Sequence, residues 1–432
     1  MSTRDVGSVN RPLRSLRRLR AVAFAVLLAP PLAAQVPPRP SPAPPAPPAA
    51  ETTPEQQAEA YAPAGTPLSE IAPVMPGQQP PAKGLQVVTG DYTWKFGGYI
   101  KVDAIHDFDQ IGNRDAFDVR TIPTTGSTDN GSNTRIHARQ TRFNLDVRGP
   151  GDPEIGEFHA FVEGDFFGDG NSFRLRHAYG ELGPILGGQT WTTFMDEDAM
   201  PETLDFETPV AYPMIRQGQI RWTQKLDDGD YWAVALEDPD SDIIAPAGVP
   251  GEAKEPLPDL AARVRWNNAR GHVQLGLFAG MARFSPDDGS ADDVGLWGLN
   301  LSTKLETVGD DSAIVQLTYG DGVGRYRGGV TAAPDADGNL EAVPIFGALL
   351  SYQHYWNTRW RSSLGYSWAD ADLPAGTTPG ASENLTYGYV NLIRQITARC
   401  WAGVEYLHGT RETFDDASGS ANRVQLSIRF DI

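Results

Sequence analysis

The sequence predicts an all-β fold, a transmembrane antiparallel up-and-down β-barrel of about 16 strands, preceded by a signal peptide and a proline-rich linker. Three observations carry that prediction. Apolar and polar residues alternate with period two in segment after segment from about residue 90 onward, as a pleated strand with one greasy and one wet face requires. Long stretches of acids and turn formers alternate with tight joints between those segments, which is the rhythm of an up-and-down barrel. The last residues, Arg423 to Ile432, "RVQLSIRFDI", still alternate at the final position.

Taken in chain order, the first element is a leader. Arg11, Arg14, Arg17, Arg18 and Arg20 make a basic start, Ala21 to Ala29 ("AVAFAVLLA") a short apolar core, and Leu32-Ala33-Ala34 a small-residue cleavage site. Residues 1–34 therefore read as a secretory signal peptide. The apolar core falls far short of the roughly 20 residues that a membrane-spanning helix needs. Residues 35–89 read as a disordered periplasmic linker, because the prolines of "PSPAPPAPP" fix φ and remove backbone donors. Residues 90–432 are left as the barrel domain.

Composition narrows the functional classes. With 36 Lys and Arg against 55 Asp and Glu, the chain has a formal charge of −19, so nucleic acid is excluded as a partner. A single cysteine, Cys400, rules out an intramolecular disulfide and is expected to be a small buried hydrophobe.

The strand segments then decide between a soluble and a membrane barrel. "WKFGGYIKVDA" sets Trp94, Phe96, Ile100, Val102 and Ala104 against Lys95, Tyr99, Lys101 and Asp103. "TRFNLDVRG" sets Phe143, Leu145 and Val147 against Arg142, Asn144, Asp146 and Arg148. The pattern returns around Arg263 and Arg265, Lys304, and Arg361. The polar face is charged and the apolar face is aromatic near strand ends, so the greasy side is expected to face lipid and the charged side a wet lumen. In the last strand Val424, Leu426, Ile428, Phe430 and Ile432 would face lipid, and Arg423, Gln425, Ser427 and Arg429 water. Such an ending resembles outer-membrane barrels, where it implies recognition by the barrel assembly machinery, although here the final residue is Ile in place of the usual Phe.

A closer resemblance rests on motifs between about residues 95 and 240: "KFGGYIKVDAIHDFD", "RFNLDVRGP", "FVEGDFFGDG", "FRLRHAYGEL", "GGQTWTTFMDEDAMPETLDFETP" and "RQGQIRWT", in that order. Together they resemble the DcaP-like porin family of Gram-negative outer membranes. The resemblance implies a homotrimeric, 16-stranded porin, seated among outer-membrane lipid and lipopolysaccharide and admitting small anionic, often aromatic, carboxylates. Family members carrying an N-terminal coiled coil differ from this chain, whose linker is too proline-rich for heptads.

Alternation places Lys95, Lys101, Arg142, Arg148, Arg174, Arg176, Arg221, Arg263, Arg265, Lys304 and Arg361 on the lumen side. Rings of basic side chains favour anions in pores, and guanidinium forks match carboxylates. The expected function is thus passive diffusion of small carboxylates or dicarboxylates through a locally basic pore. The competing reading is that these cations pair with Asp146, Glu157, Glu163 and Asp165 and merely stiffen the wall. "WTTFMDEDAMPETLDFETP" is long, acidic and proline-punctuated, and reads either as a surface loop or as a constriction loop with Asp196, Glu197 and Asp198 facing the basic wall. No metal or cofactor motif is matched, and none is expected. An outer-membrane hydrolase and a plugged structural barrel are the alternatives to a porin.

Overall fold

The computed structural model describes residues 85–124, 131–327 and 329–432, apart from the side chain of Asp228. The stretch read as a signal peptide, and all of the stretch read as linker before Leu85, lie outside the described residues. The first strands are β1 (Leu85–Thr89), β2 (Tyr92–Asp107), β3 (Asn133–His137), β4 (Arg142–Asp152), β5 (Gly156–Asp165), β6 (Arg174–Leu182) and β7 (Ile185–Trp191). They are followed by β8 (Arg216–Lys225), β9 (Tyr231–Glu237), β10 (Gly251–Lys254), β11 (Asp259–Asn268), β12 (Gly271–Pro286), β13 (Asp292–Glu306) and β14 (Ser312–Asp321). Last come β15 (Ala332–Pro334), β16 (Leu340–Ala342), β17 (Pro344–Tyr355), β18 (Trp360–Ala371), β19 (Ser382–Thr397), β20 (Cys400–Thr413) and β21 (Ser418–Asp431). No α-helix occurs among the described residues.

Wall strands pair antiparallel with their neighbours in sequence, from β4 through β9, then β11 to β14 and β17 to β21. β21 pairs with β2 from Tyr99↔Asp431 to Asp107↔Arg423, and this closes a 16-stranded barrel. β3 and β4 share one wall position, pairing with successive halves of β2. Closure leaves the wall no unpaired edge. β1 falls inside the stretch read as linker. It pairs with Tyr92–Phe96 of β2, just beyond the point where the Ile432 N–H donates to the Gly98 carbonyl at 3.0 Å.

The two faces of the pleat separate as the alternation requires. Phe96, Ile100, Phe143, Leu260, Leu301, Leu364, Leu426 and Phe430 are exposed on the outside, whereas Lys101, Asp103, Arg263, Ser302, Arg361, Arg423 and Gln425 are buried within. An apolar exterior running round the whole wall is far larger than a water-soluble monomer tolerates and suits hydrocarbon. Cys400 departs from its expectation: it is half-buried in β20, not enclosed.

Short joints gather at one end and long loops at the other. In the joint between β6 and β7, Gly183 has φ +56°, and a Cβ there would lie 1.9 Å from the Ile155 carbonyl oxygen, so only glycine fits. At the opposite end, β10 extends the pairing of β12 and β15 pairs with β16. The loop of residues 192–215, between β7 and β8, instead turns inward. Its Phe194 packs with Ala261, Phe278 and Tyr326, its Met195, Ala199, Ala211 and Tyr212 with Ile314 and Leu349, and its Leu204 with Ile393 and Trp401. The inner wall is therefore not uniformly polar; it carries apolar patches where this loop docks.

Candidate functional site

The inward loop is held to the wall along much of its length. Glu237 of β9 accepts hydrogen bonds from the Thr192 hydroxyl at 2.6 Å and the Thr193 N–H at 2.6 Å. Asp196 accepts from His272 Nε2 at 2.8 Å and Ser302 Oγ at 2.6 Å. Glu202 receives Arg361 in a two-pronged contact at 2.9 and 2.8 Å. Glu405 of β20 accepts from the Leu204 and Asp205 N–H groups, each at 2.8 Å. Arg423 of β21 then ties Asp205 at 3.0 Å to Asp107 at 2.6 Å. The loop therefore bonds to strands from one side of the lumen to the other. This is an interior loop, not a surface loop.

These contacts sort the cations expected in the lumen. Lys101 is used by the loop: its Nζ donates to the Leu204 carbonyl at 2.6 Å and meets Asp103 at 2.8 Å. Arg361 grips Glu202, and Arg265 binds Asp198 and lies 3.7 Å from Asp196. A second set pairs along the wall as the competing reading required. Arg142 lies 3.6 Å from Glu163, Arg148 3.2 Å from Asp146, and Arg174 and Arg176 converge on Asp165 at 2.9 and 2.8 Å. A third set keeps open donors. Lys95 is exposed toward the short-joint end, and Lys304 has no ion pair among the described residues. Arg221 has Nε and Nη1 buried without an acceptor, and Arg263 has its Nε in the same condition.

The acids of the constriction stretch differ from one another. Asp196 is fully enclosed. Burial pushes its carboxyl up, but the hydrogen bonds from His272 and Ser302 and the nearby Arg265 outweigh that and hold it below the ordinary carboxylate range. Asp198 is tied to Arg265. Glu197 makes no hydrogen bond, approaches Arg263 no nearer than 3.9 Å, and has a side chain 39% exposed to the lumen.

Other basic and aromatic residues near this wall lie outside the alternation. Arg216 opposes Trp191 in the β7–β8 register and stacks on its ring with 4.5 Å to the centroid, within electrostatic reach of Arg176, Arg142 and Arg174. Counting in twos from Arg221 assigns Arg216 to the outer face, which is why it was missed. Phe206 of the inward loop stacks on Phe167 at 3.8 Å and lies beneath Arg174 and Arg176. Among the described residues no group of His, Cys, Asp or Glu is arranged to hold a metal ion.

A closed barrel, greasy outside and charged inside, with a long loop folded into its lumen, defines an outer-membrane porin. The chain belongs to the DcaP outer membrane protein family, whose model matches residues 82–432, and its place is the Gram-negative outer membrane. It is similar to the outer membrane channel DcaP of Acinetobacter baumannii, with 27% identity and a TM-score of 0.72 over 81% of this chain and 100% of that one. Its fold is also that of the anion-selective porin from Comamonas acidovorans, at 12% identity and TM-score 0.51 over 79% and 100%. The trimer form of OmpT from Vibrio cholerae matches at 12% identity and TM-score 0.51 over 79% and 99%. No curated protein matches the sequence.

Proposed function

We propose that the barrel is a passive diffusion channel for small anions, carboxylates and dicarboxylates foremost, working as a homotrimer and having no enzymatic step. The observation that carries this reading is the unequal state of the lumen charges. Most acids on the inner face are consumed in ion pairs or in holding the inward loop, whereas Arg221, Arg263 and Lys304 keep donors open. A pore lined by cations with unused donors draws anions in and repels cations. The inward loop narrows the path, with Asp196, Glu197 and Asp198 on the side facing this wall. Residues 1–34 serve as the export leader, residues 35 to the start of the wall as a periplasmic spacer, and the β21 strand as the signal read by the assembly machinery.

The test is the reversal potential of single channels in a potassium chloride gradient. Anion preference is expected, and a clear preference for potassium overturns the reading. The density of the loop's contacts favours a second reading, a plugged barrel. Swelling of proteoliposomes in salts of dicarboxylates separates the two, because only an open pore swells them.

A further inference from the structure

Buried guanidinium groups are costly unless their donors are satisfied, and those of Arg221 and Arg263 on this inner wall are not. Arg221 is 4% exposed and Arg263 8% exposed. No acceptor meets Nε or Nη1 of the first or Nε of the second. Arg263 Nη1 reaches only the Met195 carbonyl, at 3.4 Å, and Glu197, at 3.9 Å. Both charges act on Glu197.

The other acids near the pair are already engaged. Glu237 is taken by Thr192, Thr193 and Gln217, and Glu181 by His159 at 2.8 Å. Asp196 is locked by His272 and Ser302, and Asp198 by Arg265. Glu197 alone of these carboxylates combines exposure, a long contact and the absence of any hydrogen bond. A pair at such a distance, with its carboxylate partly exposed, is weak. It neutralises the cations without saturating their donors.

We propose that Arg221 and Arg263 form an anion-binding station in the lumen and that Glu197 is its internal counter-ion, which a permeating anion displaces and which returns when the anion leaves. The inference rests on the anion-conducting reading above and adds a mechanism of release to it. Conduction needs a site favourable enough to enter and weak enough to leave. A tethered carboxylate supplies the second condition, because it competes for the same donors at high local concentration.

The experiment uses the full chain in planar bilayers, with sulfate added to a chloride current. Glu197→Gln removes the competitor while keeping the side chain's size, so the sulfate concentration that halves the current is expected to fall about tenfold, equivalent to about 1.4 kcal/mol. In an Arg221→Gln background the same change is expected to do nothing, because the station is already broken. Should Arg221→Gln fail to assemble, as judged by the heat-shifted band on gels, Arg263→Gln takes its place. An effect of Glu197→Gln that persists undiminished without Arg221 overturns the inference, for it would then be a general change in pore charge. So does an unchanged sulfate block in Glu197→Gln. The wild-type reversal potential keeps the two levels apart: cation preference sinks the anion-conducting reading itself, whereas anion preference with an unchanged block sinks only the counter-ion.

Discussion

Arg423 shows how much one side chain can hold in this lumen. It is fully buried, with Nε 2.6 Å from Asp107 of β2 and Nη1 3.0 Å from Asp205 of the inward loop, and it lies over the Phe117 ring. It therefore joins the last strand, the first wall strand and the loop. Arg423→Gln leaves two enclosed carboxylates without their cation, and losing one partner of a buried pair costs about 3–5 kcal/mol. The expected result is a lower temperature at which the folded band converts on heating in detergent gels. Arg283→Ala, which breaks an exposed pair with Asp293 near the loop end, is expected to leave that temperature where it was, since exposed pairs contribute little. At this scale the sequence is legible only in part. Parity correctly turned Arg423 inward, but Asp205 lies 218 positions away, and no local pattern links the two. The same parity does not reach Arg216, which sits at the end of its strand beside Trp191.

The inward loop is the element on which the proposed conduction depends, and its docking can be disturbed from either side. On the wall side, Gly276 of β12 lets the loop backbone approach: a Cβ there would stand 2.4 Å from the Phe194 carbonyl oxygen. Gly276→Val must push the loop away or strain the strand, at about 1–3 kcal/mol for overpacking, and a rise in single-channel conductance is the expected readout. On the loop side, acid acts through Asp196. Its carboxyl is held below the ordinary value of 3.8, so its contribution to docking is fully present above that value and is lost as pH falls through the lower, folded value. Conductance is therefore expected to show no change from this group between neutral pH and about 4, taking the ordinary carboxylate range as the limit, and to change only below that. A transition near pH 6 would assign the docking to another group. The length, acidity and prolines of this segment were visible in the sequence, and an inward position with its acids facing the basic wall was one of the two readings they allowed. Glu202 and Asp205 as anchors were not, since their partners Arg361 and Arg423 come from strands much later in the chain.

In the proposed reading the whole molecule sets an acidic chain around a locally basic passage. The formal charge is −19, and acids such as Asp287, Asp288, Asp292 and Asp293 stand at the loop end, in the joint after β12 and at the start of β13. The orientation of the pleat was legible because a period-two pattern is local and recurs along the chain, the strand number because the barrel stretch holds about 16 units of strand and connection, and the closure because the chain ends in a strand. The balance of charge inside was not, because it depends on which cations the loop consumes. Two fields therefore compete for an approaching ion, a repulsive one at the acidic rim and an attractive one at Arg221, Arg263 and Lys304 within. Salt separates them. The screening length shrinks from about 10 Å at 0.1 M to about 3 Å at 1 M, and exposed charges are screened far more than enclosed ones. If enclosed cations set the selectivity, raising potassium chloride from about 0.1 M to about 1 M removes mainly the rim's opposition. Anion preference should then persist at high salt, measured as the permeability ratio from reversal potentials at a fixed gradient. A ratio that collapses to unity at 1 M would place selectivity in exposed cations that salt screens, and the open donors of Arg221 and Arg263 would then have to be satisfied by water instead of by the conducted ion.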